Sequence, residues 1–323
     1  MAERVAIIGA GVSGLTCGVV FAERGYRTAI FAKETGLQTT SGVAAAVWFP
    51  YDAQPPEKVI PWALETYKTL VDLTRDPRTG VSMIKLRQFS RTKAIQIPDW
   101  AIPLGASSVA TGLWPVQDRA QRGGYSFESG FSLTVPLMDT TIYLDYLANR
   151  FVSAGGSITA NMRFEKLGDV DRKFDLVINC AGIGARTLVQ DADLEPHRGQ
   201  VAIVPKIASL SCAIVCDDAP LMYAIPRAND CVFGGTNEIS DNLAVDPTTT
   251  AQIVAECSRV LRIDKPNLLA ERVGLRPFRK SGVRLERDCL SDGRAVIHNY
   301  GHGGAGFTLS WGCAREVLDL AML

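Results

Sequence analysis

The chain lacks several features that would point to whole classes of function. It has no excess of either charge: 34 lysines and arginines stand against 34 aspartates and glutamates. That balance leaves no basic footprint for nucleic acid or an anionic membrane. No apolar run reaches the roughly 18 residues a membrane span requires, so neither a nucleic-acid nor a membrane partner is expected. Histidine is scarce, and His197, His298 and His302 form no metal-ligand pattern. The eight cysteines are Cys17, Cys180, Cys212, Cys216, Cys231, Cys257, Cys289 and Cys313. Cys212 and Cys216 lie closest together, but no second cysteine or histidine pair stands nearby at zinc spacing. No metal is expected, and the cysteines read as reduced, mostly buried thiols of a cytoplasmic protein. Internal repeats, low-complexity tracts and clear linkers are also missing.

The most informative stretch is residues 5–14, Val-Ala-Ile-Ile-Gly-Ala-Gly-Val-Ser-Gly. Val5 to Ile8 suits a buried parallel strand, Leu15 to Arg24 a helix ended by Gly25, and Arg27 to Ala32 a second strand. The three glycines serve different ends. Gly9 makes the tight turn, Gly11 lets a pyrophosphate approach, and Gly14 allows close helix–strand packing. The free N–H groups and dipole at the helix start then face the phosphates. Glu34, about 20 residues beyond Gly14, stands where a ribose-binding carboxylate belongs. A strict count could instead put Lys33 there, a residue suited to a 2′-phosphate; a solvated lysine beside Glu34 is the preferred reading. Because the apolar N-terminal stretch continues into a glycine turn and helix, it reads as the first strand and not as a secretion signal.

Further along, Thr39 to Trp48 is a small-residue segment that suits either close contact with a flat ligand or tight packing. Pro50 to Pro61 reads as loop and Trp62 to Arg75 as helix. From Val81 to Gly130, short strand-like pieces broken by Pro98, Pro103 and Pro115 suggest an antiparallel sheet. Asp139 caps a helix that runs to Ala154. Leu176 to Ile178 then forms a strand entering Ala181-Gly182-Ile183-Gly184, a second place where backbone can approach a ligand. Strand-like segments (Val201 to Val204, Met222 to Ile225, Cys231 to Phe233, Gly282 to Leu285) and one helix, Thr248 to Leu261, follow. The chain closes with a strand from Ala295 to His298, a glycine-rich loop from Asn299 to Gly306 and a helix from Phe307 to Ala321. The expected fold is α/β, with a Rossmann-type dinucleotide domain (1–76, 135–190 and 291–323). It is interleaved with a substrate domain on a mixed, largely antiparallel sheet (77–134 and 191–290).

Seven segments, in order along nearly the whole chain, carry a resemblance. They are Gly9 to Gly14, Val43-Ala-Ala-Ala-Val-Trp48, Val177-Ile-Asn-Cys-Ala-Gly182, Arg198-Gly-Gln200, Tyr223-Ala-Ile-Pro226, Gly274-Leu-Arg-Pro-Phe-Arg279 and His298-Asn-Tyr-Gly-His-Gly-Gly-Ala-Gly306. Together they resemble the FAD-dependent D-amino-acid oxidases, a family that includes D-aspartate oxidases. The resemblance implies a non-covalently bound FAD and transfer of the substrate's α-hydrogen, as hydride, to flavin N5. The imino acid formed would hydrolyse to a 2-oxo acid and ammonia, while O2 would reoxidise the flavin to give H2O2. The cofactor performs the redox step, so the protein needs orientation more than an acid or base.

The resemblance assigns the carboxylate clamp to Arg279, a second donor to Tyr223 and the amine acceptor to the Gly304 carbonyl. Nearby Arg272, Arg276 and Arg284 are left for ion pairs. Phe49 and Asn237 are expected in the substrate pocket. Implied cofactor contacts are Gly9, Gly11, Val12, Ser13, Gly14, Lys33, Glu34, Thr40, Ser41, Ala45, Ala46, Trp48, Arg163, Cys180, Ala181, Gly182, Gly303, Gly304, Gly306, Phe307 and Thr308. This chain departs from members with a second active-site tyrosine, having Ala219 to Met222 and Asn237 at the positions concerned. It ends Ala-Met-Leu instead of in a peroxisomal tripeptide, which supports the cytoplasmic expectation. Neutral D-amino acids are the expected substrates. D-aspartate or D-glutamate ranks second, glycine or sarcosine third, with an NAD(P)-dependent flavoprotein dehydrogenase as the rival class; a homodimer is left open.

Overall fold

Val5, Ala6 and Ile7 are inaccessible to solvent, the state of a strand covered on both faces. In the computed structural model, which describes residues 3–109 and 127–323, they lie in the strand Arg4–Ile8. This strand pairs in parallel with Arg27–Phe31 on one side and Leu176–Asn179 on the other. Ser157–Thr159 extends the sheet beyond Arg27–Phe31. On the other side Ala295–Tyr300 pairs in parallel, and Arg284–Cys289 closes the edge antiparallel, giving six strands. The helix Val12–Glu23 packs on Thr140–Ser153 and Gly306–Ala321, and the latter also meets Pro56–Leu73. Glycines permit the close crossings: a Cβ on Gly312 would strike the Trp62 backbone, and one on Gly18 would crowd Ile30 and Phe151.

The second sheet has nine strands. Leu194–Pro205 pairs antiparallel with Ala270–Arg279, Asp230–Gly234 and Glu238–Ile239. Beyond Asp230–Gly234 come Met222–Pro226, Cys212–Cys216, Val81–Ser90, Ser129–Met138 and Ser107–Ser108. One pair in the sheet, Val81–Ser90 with Cys212–Cys216, runs parallel, so the sheet is mixed as expected. The helix Pro247–Leu261 buries Ile253, Val254 and Cys257 against Phe89, Phe233 and Met222.

The architecture is the expected mixed α/β arrangement, with three local corrections. The segment read as loop from Pro50 to Pro61 already contains the start of the helix Pro56–Leu73. Pro56 occupies the first helical position, where a missing N–H costs nothing, and Pro61 is accommodated one turn later. Arg284–Cys289 pairs with Ala295–Tyr300 in the first sheet, so the boundary expected at 290/291 cuts a hairpin. The boundary expected at 134/135 falls inside the strand Ser129–Met138. The break at Pro115 lies outside the described residues. Asp139 caps its helix as expected, accepting from the Thr141 N–H at 3.1 Å.

Hydrogen bonds tie the two sheets together beside the glycine turn. The Trp48 N–H donates to the Pro136 carbonyl and the Met138 N–H to the Ala46 carbonyl. Thr40 Oγ1 donates to the Leu275 carbonyl at 3.2 Å. A cleft opens at this junction.

Candidate active site

The glycine turn leaves no room for side chains. Gly9 has a φ of +110°, and a Cβ there would strike the Cys180 carbonyl; a Cβ on Gly14 would strike the Gly9 carbonyl. Gly11 precedes the helix Val12–Glu23 without a side-chain cap. Ser41 Oγ takes the Val12 N–H at 3.0 Å, which leaves the remaining first-turn N–H groups for an anion. A Cβ on Gly11 would lie 3.0 Å from that same oxygen. The tight turn, the open helix end and a carboxylate at Glu34 together fit the pyrophosphate and ribose of a dinucleotide.

From this turn a cleft of about 680 Å³ runs toward the second sheet, within the roughly 300–1,000 Å³ usual for ligand sites. Its walls include Gly9, Gly11, Val12, Ser13, Lys33, Glu34, Thr40, Ser41, Arg163, Cys180, Ala181, Gly182, Gly303, Gly304, Gly306 and Phe307. Lys33 and Glu34 form an exposed ion pair at 2.9 Å, the geometry of a solvated neighbour. A hydrogen bond with Cys17 and burial hold the Cys180 thiol well above its ordinary pKa, so the wall carries a protonated thiol there. His302 also lines the cleft; burial pushes its pKa down to about 4, and its Nε2 lies 3.0 Å from Asn299 Oδ1. It is a neutral imidazole at ordinary pH.

Other expected cofactor residues lie behind the wall. Gly14 packs on the turn. Ala45 joins Val43 and Tyr223 in a small apolar cluster, and Ala46 is buried with a φ of +55°. Trp48 is not a cleft residue: it is fully buried, donates from Nε1 to the Ala63 carbonyl at 3.0 Å, and packs edge-on against Tyr67 and Trp100. Thr308 clamps the segment from within, with Oγ1 donating to the Phe49 carbonyl at 2.9 Å and accepting the Phe49 N–H at 3.1 Å.

The far end of the cleft is where the structure departs most from expectation. Arg279 does not enter it. Its Nε donates to Asp191 Oδ2 at 2.8 Å and its Nη1 to the Gly282 carbonyl at 3.2 Å. Tyr300 donates to the same Asp191 oxygen at 2.7 Å. Burial alone would raise the Asp191 carboxyl, but the hydrogen bonds from Tyr300 and Arg279 outweigh it and hold the carboxyl below its ordinary value. The cleft receives Arg276 instead. Side chains alternate along the strand Ala270–Arg279, and a separation of three puts Arg276 and Arg279 on opposite faces. Parity along the strand was the signal available in the sequence.

Arg276 lies over Gly199, where a Cβ would meet its guanidinium. Its Nη1 donates to the Thr236 carbonyl at 2.9 Å and faces Asn237 Oδ1 at 3.4 Å. Among the described residues it pairs with no carboxylate. Tyr223, also in the wall, stacks its ring over Gly234 and Gly235. Burial raises its pKa against the opposing charge and hydrogen bond of Arg276. Tyr51, missed in the sequence because it sits in a proline-rich stretch, packs on Gly304 and receives the Asn237 Nδ2 donor at 3.4 Å. Burial and Asp217 push its phenol up to about 12, against the lowering effect of Arg276. Asn237 therefore bridges Arg276 and Tyr51. Phe49 sits farther back, its ring 5.7 Å from Trp100 and 6.5 Å from Phe131. Among the described residues no group of three His, Cys, Asp or Glu side chains could hold a metal ion. Nor is any described helix long and apolar enough to cross a membrane.

The family model described as FAD dependent oxidoreductase matches residues 4–320. The chain belongs to the FAD-dependent oxidoreductases. It is 37% identical to a D-amino-acid oxidase of Rubrobacter xylanophilus over 326 residues, covering 98% of this chain and 95% of that protein. Against a human D-aspartate oxidase the figure is 31%, with 98% and 94% covered. A solved glycine oxidase of Geobacillus kaustophilus superposes with a TM-score of 0.82 at 18% identity, covering 99% of this chain and 95% of that one; this likeness is one of fold. As a member of this family the chain is an enzyme that uses FAD, and the glycine turn, open helix end and Glu34 suit the adenosine diphosphate portion of that cofactor.

Proposed function

We propose that this flavoenzyme oxidises D-amino acids with non-acidic side chains to imino acids, which hydrolyse to 2-oxo acids, with dioxygen as terminal acceptor. The observation that carries the reading is Arg276: a guanidinium in the cleft wall, beside Tyr223, with no carboxylate partner among the described residues. A planar guanidinium takes a carboxylate through two parallel charge-assisted hydrogen bonds. Tyr223 adds a hydroxyl donor to the same carboxylate, and the Gly304 carbonyl accepts from the amine. With the carboxylate and the amine both fixed, the hand of the substrate decides whether its α-hydrogen or its side chain faces the cofactor, and so one enantiomer is selected. FAD, when bound, supplies the two-electron acceptor. The protein's contribution is to hold Cα at a narrow distance and angle.

An acidic substrate would need a second cation near Arg276. The other cations among the lining residues, Lys33 and Arg163, stand at the nucleotide end: Lys33 pairs with Glu34, and Met162 beside Arg163 bonds to the Ala32 carbonyl. The eight free cysteines, seven of them buried, favour a reducing, cytoplasmic setting. The test is anaerobic reduction of the purified holoenzyme. D-alanine bleaches the flavin and L-alanine does not; bleaching by L-alanine, or by neither, overturns the reading.

A further inference from the structure

Pairing in the second sheet sets Tyr223 opposite Val215, Val215 opposite Gln88, and Gln88 opposite Phe131. Residues directly opposite across strands project from the same face. Phe131 is buried in the core cluster against which Tyr223, Val215 and Phe49 pack, so this face is the one turned to the substrate end. Asp217 lies two residues beyond Val215, in the turn between Cys212–Cys216 and Met222–Pro226. Gln88 Nε2 donates to Asp217 Oδ2 at 2.8 Å, which holds the carboxylate on that face.

The pair is left short of donors. Gln88 is 7% exposed, and its Oε1 is buried with no hydrogen-bond partner among the described residues. A buried acceptor without a donor is costly. Asp217 pairs with no cation there either; desolvation raises its carboxyl, against the lowering effects of the Gln88 hydrogen bond and the charge of exposed Lys93. The other acids nearby are already engaged. Asp218 accepts from Ser90 Oγ at 2.7 Å and from the Arg91 N–H, and Asp52 lies 3.3 Å from His197 Nδ1. Asp217 also acts electrostatically on Tyr51, which packs on Gly304. Asp217 is itself exposed, so a ligand can reach its carboxylate on the sheet face that carries Tyr223.

Resting on the proposed D-amino-acid oxidation, we infer that Gln88 and Asp217 form an anionic, hydrogen-bond-accepting subsite for the cationic side chain of a D-lysine- or D-arginine-like substrate. The apolar stem lies against Tyr223 and Val215. The terminal cation donates to the Asp217 carboxylate, which Gln88 Nε2 holds in place, while Arg276 keeps the α-carboxylate. An anionic side chain meets Asp217 instead and is repelled.

The test compares isosteric substrates on the FAD-loaded enzyme. The kcat/KM for D-lysine exceeds that for D-norleucine by about fivefold, and D-glutamate falls below D-glutamine. Asp217→Asn brings the D-lysine to D-norleucine ratio close to one, mainly through KM. A ratio near one in the unmodified enzyme, or one that persists in Asp217→Asn, overturns the inference while leaving D-amino-acid oxidation in place. Failure of both D-norleucine and D-alanine to reduce the flavin overturns the substrate reading and this inference with it.

Discussion

On the proposed reading, the nucleotide end of the cleft binds through its backbone. Gly9, Gly11 and Gly14 clear space, and a helix end presents its N–H groups. At the substrate end the work falls to side chains, with Arg276, Tyr223, Tyr51 and Asn237 arriving from separate segments of the chain. The first kind of site tolerates almost no added atom, because each missing Cβ is matched by a carbonyl or hydroxyl already in place. The second depends on which face of a strand a residue occupies, and it is tuned by charge.

The largest effect is expected where backbone meets backbone. Gly14→Val places side-chain atoms against the Gly9 carbonyl, so the helix must move off the strand. The purified variant is expected to lose its flavin, read as the absorbance ratio of cofactor to protein; full flavin content would show that the turn has slack the geometry does not reveal.

Behind the substrate end, Asp191 is expected to serve the fold and not the chemistry. Asp191→Ala leaves the partly buried Arg279 and Tyr300 without their shared acceptor, at a cost of roughly 2 kcal/mol. Thermal unfolding is expected to show that loss with KM for D-alanine little changed. A large rise in KM would return Arg279's neighbourhood to the active site. Asp191 also carries a pH signature: its folded pKa is depressed, so its contribution is complete above the ordinary 3.8 and disappears as pH falls through the folded value.

His302 acts at higher pH. Its ordinary pKa of 6.5 falls to about 4 in the fold, so the unfolded chain takes up the proton first as pH drops. Stability is expected to decline from about pH 6.5 toward pH 4, seen as a falling urea midpoint. His302→Gln should flatten that slope, and an unchanged slope would place the titration elsewhere.

The smallest effect concerns Tyr51. Its hydroxyl receives one long hydrogen bond from Asn237, so Tyr51→Phe is expected to change kcat/KM for D-alanine by no more than about fivefold. A loss of several hundredfold would make Tyr51 a direct partner of the substrate.

The two ends also differed in how far sequence alone could reach. Gly9, Gly11, Gly14 and Glu34 were readable because turn, helix and strand are local and their spacing is rigid. The cap at Asp139 was readable for the same reason. Arg276 and Arg279 share one short motif, and resemblance alone favoured Arg279, which the fold turns away from the cleft; strand parity separates the two once the strand and its buried face are known. Tyr51 and Gln88 gave no local signal, because only long-range packing sets Tyr51 against Gly304 and only strand pairing sets Gln88 opposite Val215. Trp48 was placed in the wall by resemblance alone, since a small-residue segment ending in an aromatic suits a flat ligand and a packed core equally well.

The central claim is that Arg276, not Arg279, anchors the substrate. It is tested most directly by KM for D-alanine in two holoenzyme variants, Arg276→Lys and Arg279→Lys. An ammonium cannot reproduce the bidentate clamp, so Arg276→Lys is expected to raise KM about a hundredfold. Arg279→Lys should stay close to the parent KM while losing thermal stability. The reverse pattern, with KM rising for Arg279→Lys alone, would contradict the account.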